Sequence, residues 1–164
     1  MEATLAALDQ AEKLLQDWAE QTTRPQENRL DVVVSQANFR PAAEAIIGSK
    51  WGYLSSITGL DRPAPAAAEG EPQAQGQVEV LYHFCAGGAL LNLRISVPYD
   101  HAELPTICDM NPAASLYERE TMELLGVQFI NTPSTDHLVL PDDWPDGVYP
   151  LRKSFTGFGG STQA

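Results

Sequence analysis

VEVLYHFCAGGALLNLRISV, residues 78–97, decides the fold class of this chain. Val78, Val80, Tyr82 and Phe84 take alternate positions in its first half, and Leu91, Leu93, Ile95 and Val97 do so in its second. Successive side chains of an extended strand point to opposite faces, so each half reads as a β-strand with one core face. Glu79, Leu81 and His83 fall on the other, more polar face. Ala86, Gly87 and Gly88 join the halves, and so short a glycine-containing connection favours a hairpin. Cys85 ends the first strand and reads as a small core residue.

Towards the N-terminus, WGYLSSITGL (51–60) alternates large apolar with small residues, and LDVVVS (30–35) is a short run rich in β-branched residues; both read as strands. Between them Pro41 opens a short helix with Ala42, Ala45 and Ile46 as its apolar side and Gly48 as its stop. Residues 3–21 place Leu5, Leu8, Ala11, Leu15 and Trp18 on one side of a helix, which predicts an N-terminal amphipathic segment over 1–23. The polar run QTTRPQENR (21–29) reads as a linker into the main domain, 29–129. Inside that domain, residues 61–77 are rich in Pro, Ala, Gly, Glu and Gln and read as a flexible loop.

Towards the C-terminus, NPAASLYERETMELLGVQF (111–129) reads as a helix with Asn111 as N-cap, Pro112 at the first helical position and Gly126 as the stop. At roughly 100° per residue, Ala113, Leu116, Tyr117 and Leu124 share one arc, and Glu120 lies inside it. Glu118 lies opposite, flanked by Met122 and Leu125, and Ser115, Arg119 and Glu123 form a narrow strip without apolar residues. A carboxylate among apolar neighbours needs a cation, a backbone donor or a shifted pKa. Three readings of Glu120 follow: an ion pair with Arg119, Arg152 or Lys153, a surface on which these charges meet another chain, or an acid–base role. No second catalytic-looking residue stands beside it. The tail, 130–164, carries Pro141, Trp144, Pro145 and Pro150, then Leu151, Arg152 and Lys153. It is too rich in proline for a helix or a central strand. An extended arm with an aromatic anchor and an arginine has the composition of an interface hot spot, and a strap across its own domain has the same composition.

The order of elements predicts an α+β two-layer domain: a mostly antiparallel sheet of about four strands with helices on one face, an N-terminal helix and an extended C-terminal arm. At 164 residues the chain is long enough for one core. Ten Lys and Arg stand against twenty-two Asp and Glu, and a net charge of -12 argues against nucleic acid and anionic membrane surfaces as partners. No apolar run reaches the eighteen residues of a membrane span and no signal peptide is expected, which suggests a cytoplasmic protein, free or peripheral. Two cysteines without a CxxC cannot supply the four ligands of an iron–sulfur cluster. His83, His101 and His137 lack metal-binding spacing, and Asp142, Asp143 and Asp146 lack that of a calcium loop. Gly87 and Gly88 suit a turn rather than a phosphate cradle, and GFGG (157–160) reads as a disordered end. No catalytic, cofactor-binding or metal-ligating residue is expected.

YERETMELLGVQF (117–129) followed by LPDDWPDGVYPLRKSF (140–155) resembles the signature region of the C-type subunits of respiratory complex I, the 30 kDa subunit family of NADH-quinone oxidoreductases. WGYLSSITGLD (51–61) and VEVLYHF (78–84) are similar to the family's upstream blocks. The chain departs from the family pattern at Asn131, Thr132 and Pro133, where Gly-His-Pro is usual, and at Asp136, where a base or proline is common. The resemblance implies a non-catalytic subunit of the peripheral arm on the cytoplasmic face of the membrane. It would dock on the D-type subunit, which helps to form the quinone site, near the B- and I-type subunits. FMN, iron–sulfur clusters and quinone would then belong to partner subunits. The resemblance further implies docking through Tyr117, Glu118, Arg119, Glu120, Glu123, Trp144, Pro150, Leu151, Arg152 and Lys153. The equivalent subunit of a membrane-bound hydrogenase or a ferredoxin-dependent complex is the alternative. A free-standing enzyme using Glu118, Glu120 and His101 is a third reading.

Overall fold

The computed structural model describes residues 1–65 and 75–157. In chain order the elements are α1 (Glu2–Leu15), β1 (Ala19–Gln26), β2 (Arg29–Val34), α2 (Gln36–Gly48), β3 (Tyr53–Arg62), β4 (Gln77–Ala86), β5 (Ala89–Pro98), β6 (Glu103–Pro105), α3 (Ala114–Leu125) and β7 (Gln128–Ile130). The expected hairpin is β4–β5, paired without a break from Ala86 opposite Ala89 to Gln77 opposite Pro98. Around it the main sheet runs β1-β2-β5-β4-β3, antiparallel except where β2 meets β5. A second, two-stranded parallel sheet joins β6 to β7.

Register turns the alternation read in the sequence into a core. Leu30, Leu91, Phe84 and Leu54 form one row across four strands, and Val32, Leu93, Tyr82 and Ile57 form the next. All eight are buried. Phe39 of α2 lies over this face, its ring 4.7 Å from that of Tyr82. α1 adds Leu8, Ala11 and Leu15, all fully buried, and each leucine contributes about 1.5–3 kcal/mol of transfer free energy. The Trp51 indole N–H donates to the Ala7 carbonyl at 2.8 Å, which fixes α1 to the turn before β3. α3 lies on the same face over β3. Gly59 admits it: a Cβ there would stand 2.1 Å from Leu125 Cδ1.

The sheet has five strands rather than about four because the run read as a linker is β1. Thr22 lies opposite Val32 and Thr23 opposite Asp31. α1 therefore ends at Leu15, not near Gln21, and the chain from Ala19 belongs to the sheet. The strand is polar because it is an edge with mostly exposed side chains, and an edge accepts Pro25. α2 starts earlier than expected, since Ser35 caps it by accepting from the Asn38 N–H, and Pro41 lies inside the helix. α3 starts later: Asn111 Oδ1 accepts from the Ala113 N–H, and the helix begins at Ala114. Gly126 ends it in the left-handed conformation, as read. Of the loop at 61–77, Asp61, Arg62 and Gln77 are strand residues. Residues 66–74, and 158–164 with most of GFGG, lie outside the described residues.

The other face of the sheet is polar and bonded to itself. Asp31 pairs with Arg29 at 2.6 Å and Arg94 at 2.9 Å, and accepts from Asn92 Nδ2 at 2.7 Å. Arg94 also pairs with Glu79, which pairs with Arg62 at 2.9 Å. Burial alone would push the Asp31 carboxyl up, but Arg29, Asn92 and Arg94 outweigh it and hold the group below its ordinary value. His83 is bonded between Asn92 and Thr58, and half-buried Cys85 lies on this face with its thiol towards Ser55 rather than in the core.

Candidate docking surface

α3 turns Ala114, Glu118, Thr121 and Leu125 inward. The arc of Ala113, Leu116, Tyr117 and Leu124 points elsewhere, so the carboxylate that needs an answer inside the fold is Glu118 rather than Glu120. Glu118 is fully buried, while Glu120 is exposed. Glu118 accepts from Thr106 Oγ1 at 2.6 Å, the Ile107 N–H at 2.9 Å and the Cys108 thiol at 3.2 Å. Neutral donors, not a cation, satisfy this carboxylate. Burial pushes the Cys108 thiol up; neighbouring Thr106 opposes this and Glu118 adds to it.

The polar strip of α3 holds the tail. Arg119 donates to the carbonyls of Asp136 (2.9 Å) and His137 (2.8 Å). Glu123 accepts three successive backbone N–H groups, from Leu138, Val139 and Leu140, at 3.1, 2.7 and 3.1 Å. A carboxylate aimed at consecutive amides is a charge-assisted clamp, stronger than neutral pairs. Further on, Leu151 N–H donates to the Leu124 carbonyl, and Arg152 Nε donates to the Leu125 carbonyl at 2.6 Å, placing a cation at the C-terminal end of the helix. The Arg152 guanidinium lies 4.1 Å from the Tyr99 ring centroid and reaches Asp61 at 3.4 Å. Asp61 also accepts from the Tyr99 hydroxyl and the Lys153 N–H. Gly126 lets Tyr149 close over the helix end, since a Cβ there would stand 2.4 Å from its ring. Trp144 donates to the Val148 carbonyl and its ring lies 6.2 Å from Phe155.

The ten residues expected to dock thus divide. Glu118, Arg119, Glu123 and Arg152 direct their polar groups into the chain's own fold, Lys153 uses its backbone there, and Pro150 lies half-buried in the strap. Tyr117 donates to the Ser55 carbonyl. Glu120 makes none of the ion pairs read for it, and Leu151 is 57% exposed. Thr106, Cys108, Tyr99 and Asp61 complete these bonds. Nothing in their own neighbourhoods marks them, because their partners are remote in sequence. Between β3 and α3 runs a groove of about 290 Å³, lined by Ser56–Gly59, Tyr117, Glu120, Thr121, Leu124, Leu125 and Leu151.

Among the described residues, no three His, Cys, Asp or Glu side chains are placed to hold a metal ion, and no helix is long and apolar enough to cross a membrane. All seven arginines are bonded within the chain. The surface charge left over is therefore mainly carboxylate.

A model of the family described as "Respiratory-chain NADH dehydrogenase, 30 Kd subunit" matches residues 32–160, which include the core hairpin, α3 and the strap. The C-type subunit of the F(420)H(2) dehydrogenase of Methanosarcina mazei is 32% identical over 137 residues, 82% of this chain and 80% of that one. The C-type subunit of the NADH-quinone oxidoreductase of Moorella thermoacetica is 32% identical over 107 residues, 64% of each chain. The C/D-type subunit of the same enzyme in Methylococcus capsulatus is 30% identical over 109 residues, 65% of this chain but 18% of that longer one. The solved trypsin-resistant fragment of Nqo5 shares the fold, with a TM-score of 0.59 at 22% identity over 79% of this chain and 96% of the fragment.

Proposed function

The chain belongs to the family of the respiratory-chain NADH dehydrogenase 30 Kd subunit, and on that premise we propose that it is a non-catalytic docking subunit of a proton-translocating NADH:quinone oxidoreductase. It sits in the peripheral arm beside the quinone-site, D-type subunit, with the B- and I-type subunits as further neighbours, on the cytoplasmic face of the membrane. The match across residues 32–160 carries this reading, because it spans strands β3–β5 and the strapped helix. A relative whose name joins C and D supports the choice of the D-type partner. The chain holds no cofactor of its own; FMN, iron–sulfur clusters and quinone are carried by partner subunits. Its contribution to the reaction is positional: a strapped, internally bonded helix offers a rigid surface, and a rigid surface loses little entropy on docking.

Affinity purification of the tagged full chain from its native membranes, with identification of the bound chains, tests this. A D-type chain is expected at near-equal amount. A chain isolated without partners that turns over a small substrate overturns the reading and favours the free-standing enzyme.

The relative aligned over 82% of this chain belongs to an F(420)H(2) dehydrogenase, and that favours a second reading, the same position in a complex with another electron donor. Donor oxidation by the purified complex separates the two, NADH supporting the first and a reduced deazaflavin or hydrogen the second.

A further inference from the structure

The main sheet has two edges, and they are built differently. β1 carries Glu20, Arg24 and Pro25, its pairing with β2 is interrupted twice, and Arg24 is tied back to Asp9 and Glu12 of α1. Charge, proline and irregular pairing are the devices that keep an edge from pairing with another chain. In β3 the charges, Asp61 and Arg62, stand at its C-terminal end; Tyr53–Leu60 carries neither charge nor proline, and the pairing with β4 has one irregularity, between Leu54 and Ser56. Beside this less guarded edge, whose Ser55 carbonyl accepts from Tyr117, lies the groove described above, with Ile57 and Leu125 buried and Leu151 exposed. One turn back on α3, Leu116 is 55% exposed, and Tyr53 at the start of the edge is 64% exposed. Glu120 is the charged residue of the groove lining, and among the described residues it has no bonded partner.

We infer that the β3 edge and this groove receive an extended segment of a partner protein, with apolar side chains and a lysine or arginine on one face. The segment adds to the sheet as a sixth strand. Its backbone pairs with the outer edge of β3, its apolar side chains enter the groove, and its cation meets Glu120. The occupant must bring the cation, because no lysine or arginine of this chain lines the groove. A second copy of the chain is disfavoured, since it brings a net charge of -12 towards Glu120. The 290 Å³ volume lies just below the roughly 300–1,000 Å³ of small-molecule sites and suits a few side chains.

The inference rests on the docking-subunit reading and names the chemistry of one contact. Its test uses the full chain and a fluorescein-labelled ten-residue peptide in which threonine alternates with valine and one valine is replaced by lysine. Fluorescence anisotropy is expected to show saturable binding. Glu120→Lys is expected to weaken it at least fivefold, on the order of a charge pair turned repulsive. N-methylation of alternate peptide amides, which leaves the protein untouched, is expected to weaken it about tenfold. Asp142→Asn, an exposed acid outside the groove, is expected to leave it within about twofold. No saturable binding, equal binding of the N-methylated peptide, or equal losses from Glu120→Lys and Asp142→Asn overturns the inference. Co-purification of partner subunits with a chain that ignores the peptide removes the groove contact and leaves the docking reading standing. Peptide binding by a chain that co-purifies nothing does the reverse.

Discussion

Glu118 and Glu120 stand two residues apart on α3 and meet opposite surroundings. Glu118 is enclosed by a hydroxyl, an amide and a thiol, all donating to it. Glu120 faces solvent at the rim of an apolar groove. Glu123 is buried too, but beneath the tail, whose three amides donate to it. The inward side of α3 has every polar group answered from within the chain, so it holds the fold. The outward side sets exposed Leu116 and half-buried Leu124 beside an unanswered carboxylate, a combination that lowers no energy in the isolated chain. That contrast separates the residues that build the fold from those the fold leaves unanswered.

Three substitutions put the contrast under strain. Glu118→Ala removes a fully buried acceptor and leaves the Ile107 N–H and Thr106 hydroxyl unanswered around a cavity. A loss of about 3–4 kcal/mol in urea unfolding is expected, and a loss under about 1 kcal/mol would mean that the inward side is not what holds the helix. Glu123→Ala frees the three amides of Leu138–Leu140. A loss of about 1–2 kcal/mol is expected, with faster proteolytic cutting of the strap near residue 138 while the sheet stays folded; an unchanged cutting rate would assign the strap to Arg119 and Arg152 instead. Glu120→Gln is expected to change stability by less than about 0.5 kcal/mol. A larger destabilisation would place Glu120 in the fold and erase the difference between the two sides.

Much of the sheet was legible because its two-residue period is strict where both neighbours are apolar strands. Val78 to Phe84 and Leu91 to Val97 face the core as read, and with Leu30 and Val32 they define the rows of the interior. β1 was hidden for the opposite reason. An edge strand with mostly exposed side chains has no apolar alternation to display, and Thr22, Thr23 and Pro25 look the same in a linker. On α3 nearly the whole circumference is apolar, so the wheel located a helix without saying which side is covered. That choice belongs to Gly59 and Leu125, which let β3 and α3 approach closely. Neutral donors brought from Thr106, Ile107 and Cys108 made Glu118 the buried carboxylate, and no local pattern announces them. The proline content of the tail made it legible as an extended segment, but its two possible uses could be separated only by seeing Arg119, Glu123 and Arg152 bonded along it.

The parallel joint between β2 and β5 also has a kinetic side. Asp31 and Asn92, bonded across that joint, are 61 positions apart, whereas β4 and β5 meet through a tight turn at Gly87 and Gly88. Local pairings form early, and distant ones must first overcome the entropy of closing a long loop. On a translating ribosome, α1, β1, β2 and α2 therefore emerge with an apolar face and no sheet to rest it on. They wait, within reach of chaperones, until the hairpin that completes the centre of the sheet has been synthesised.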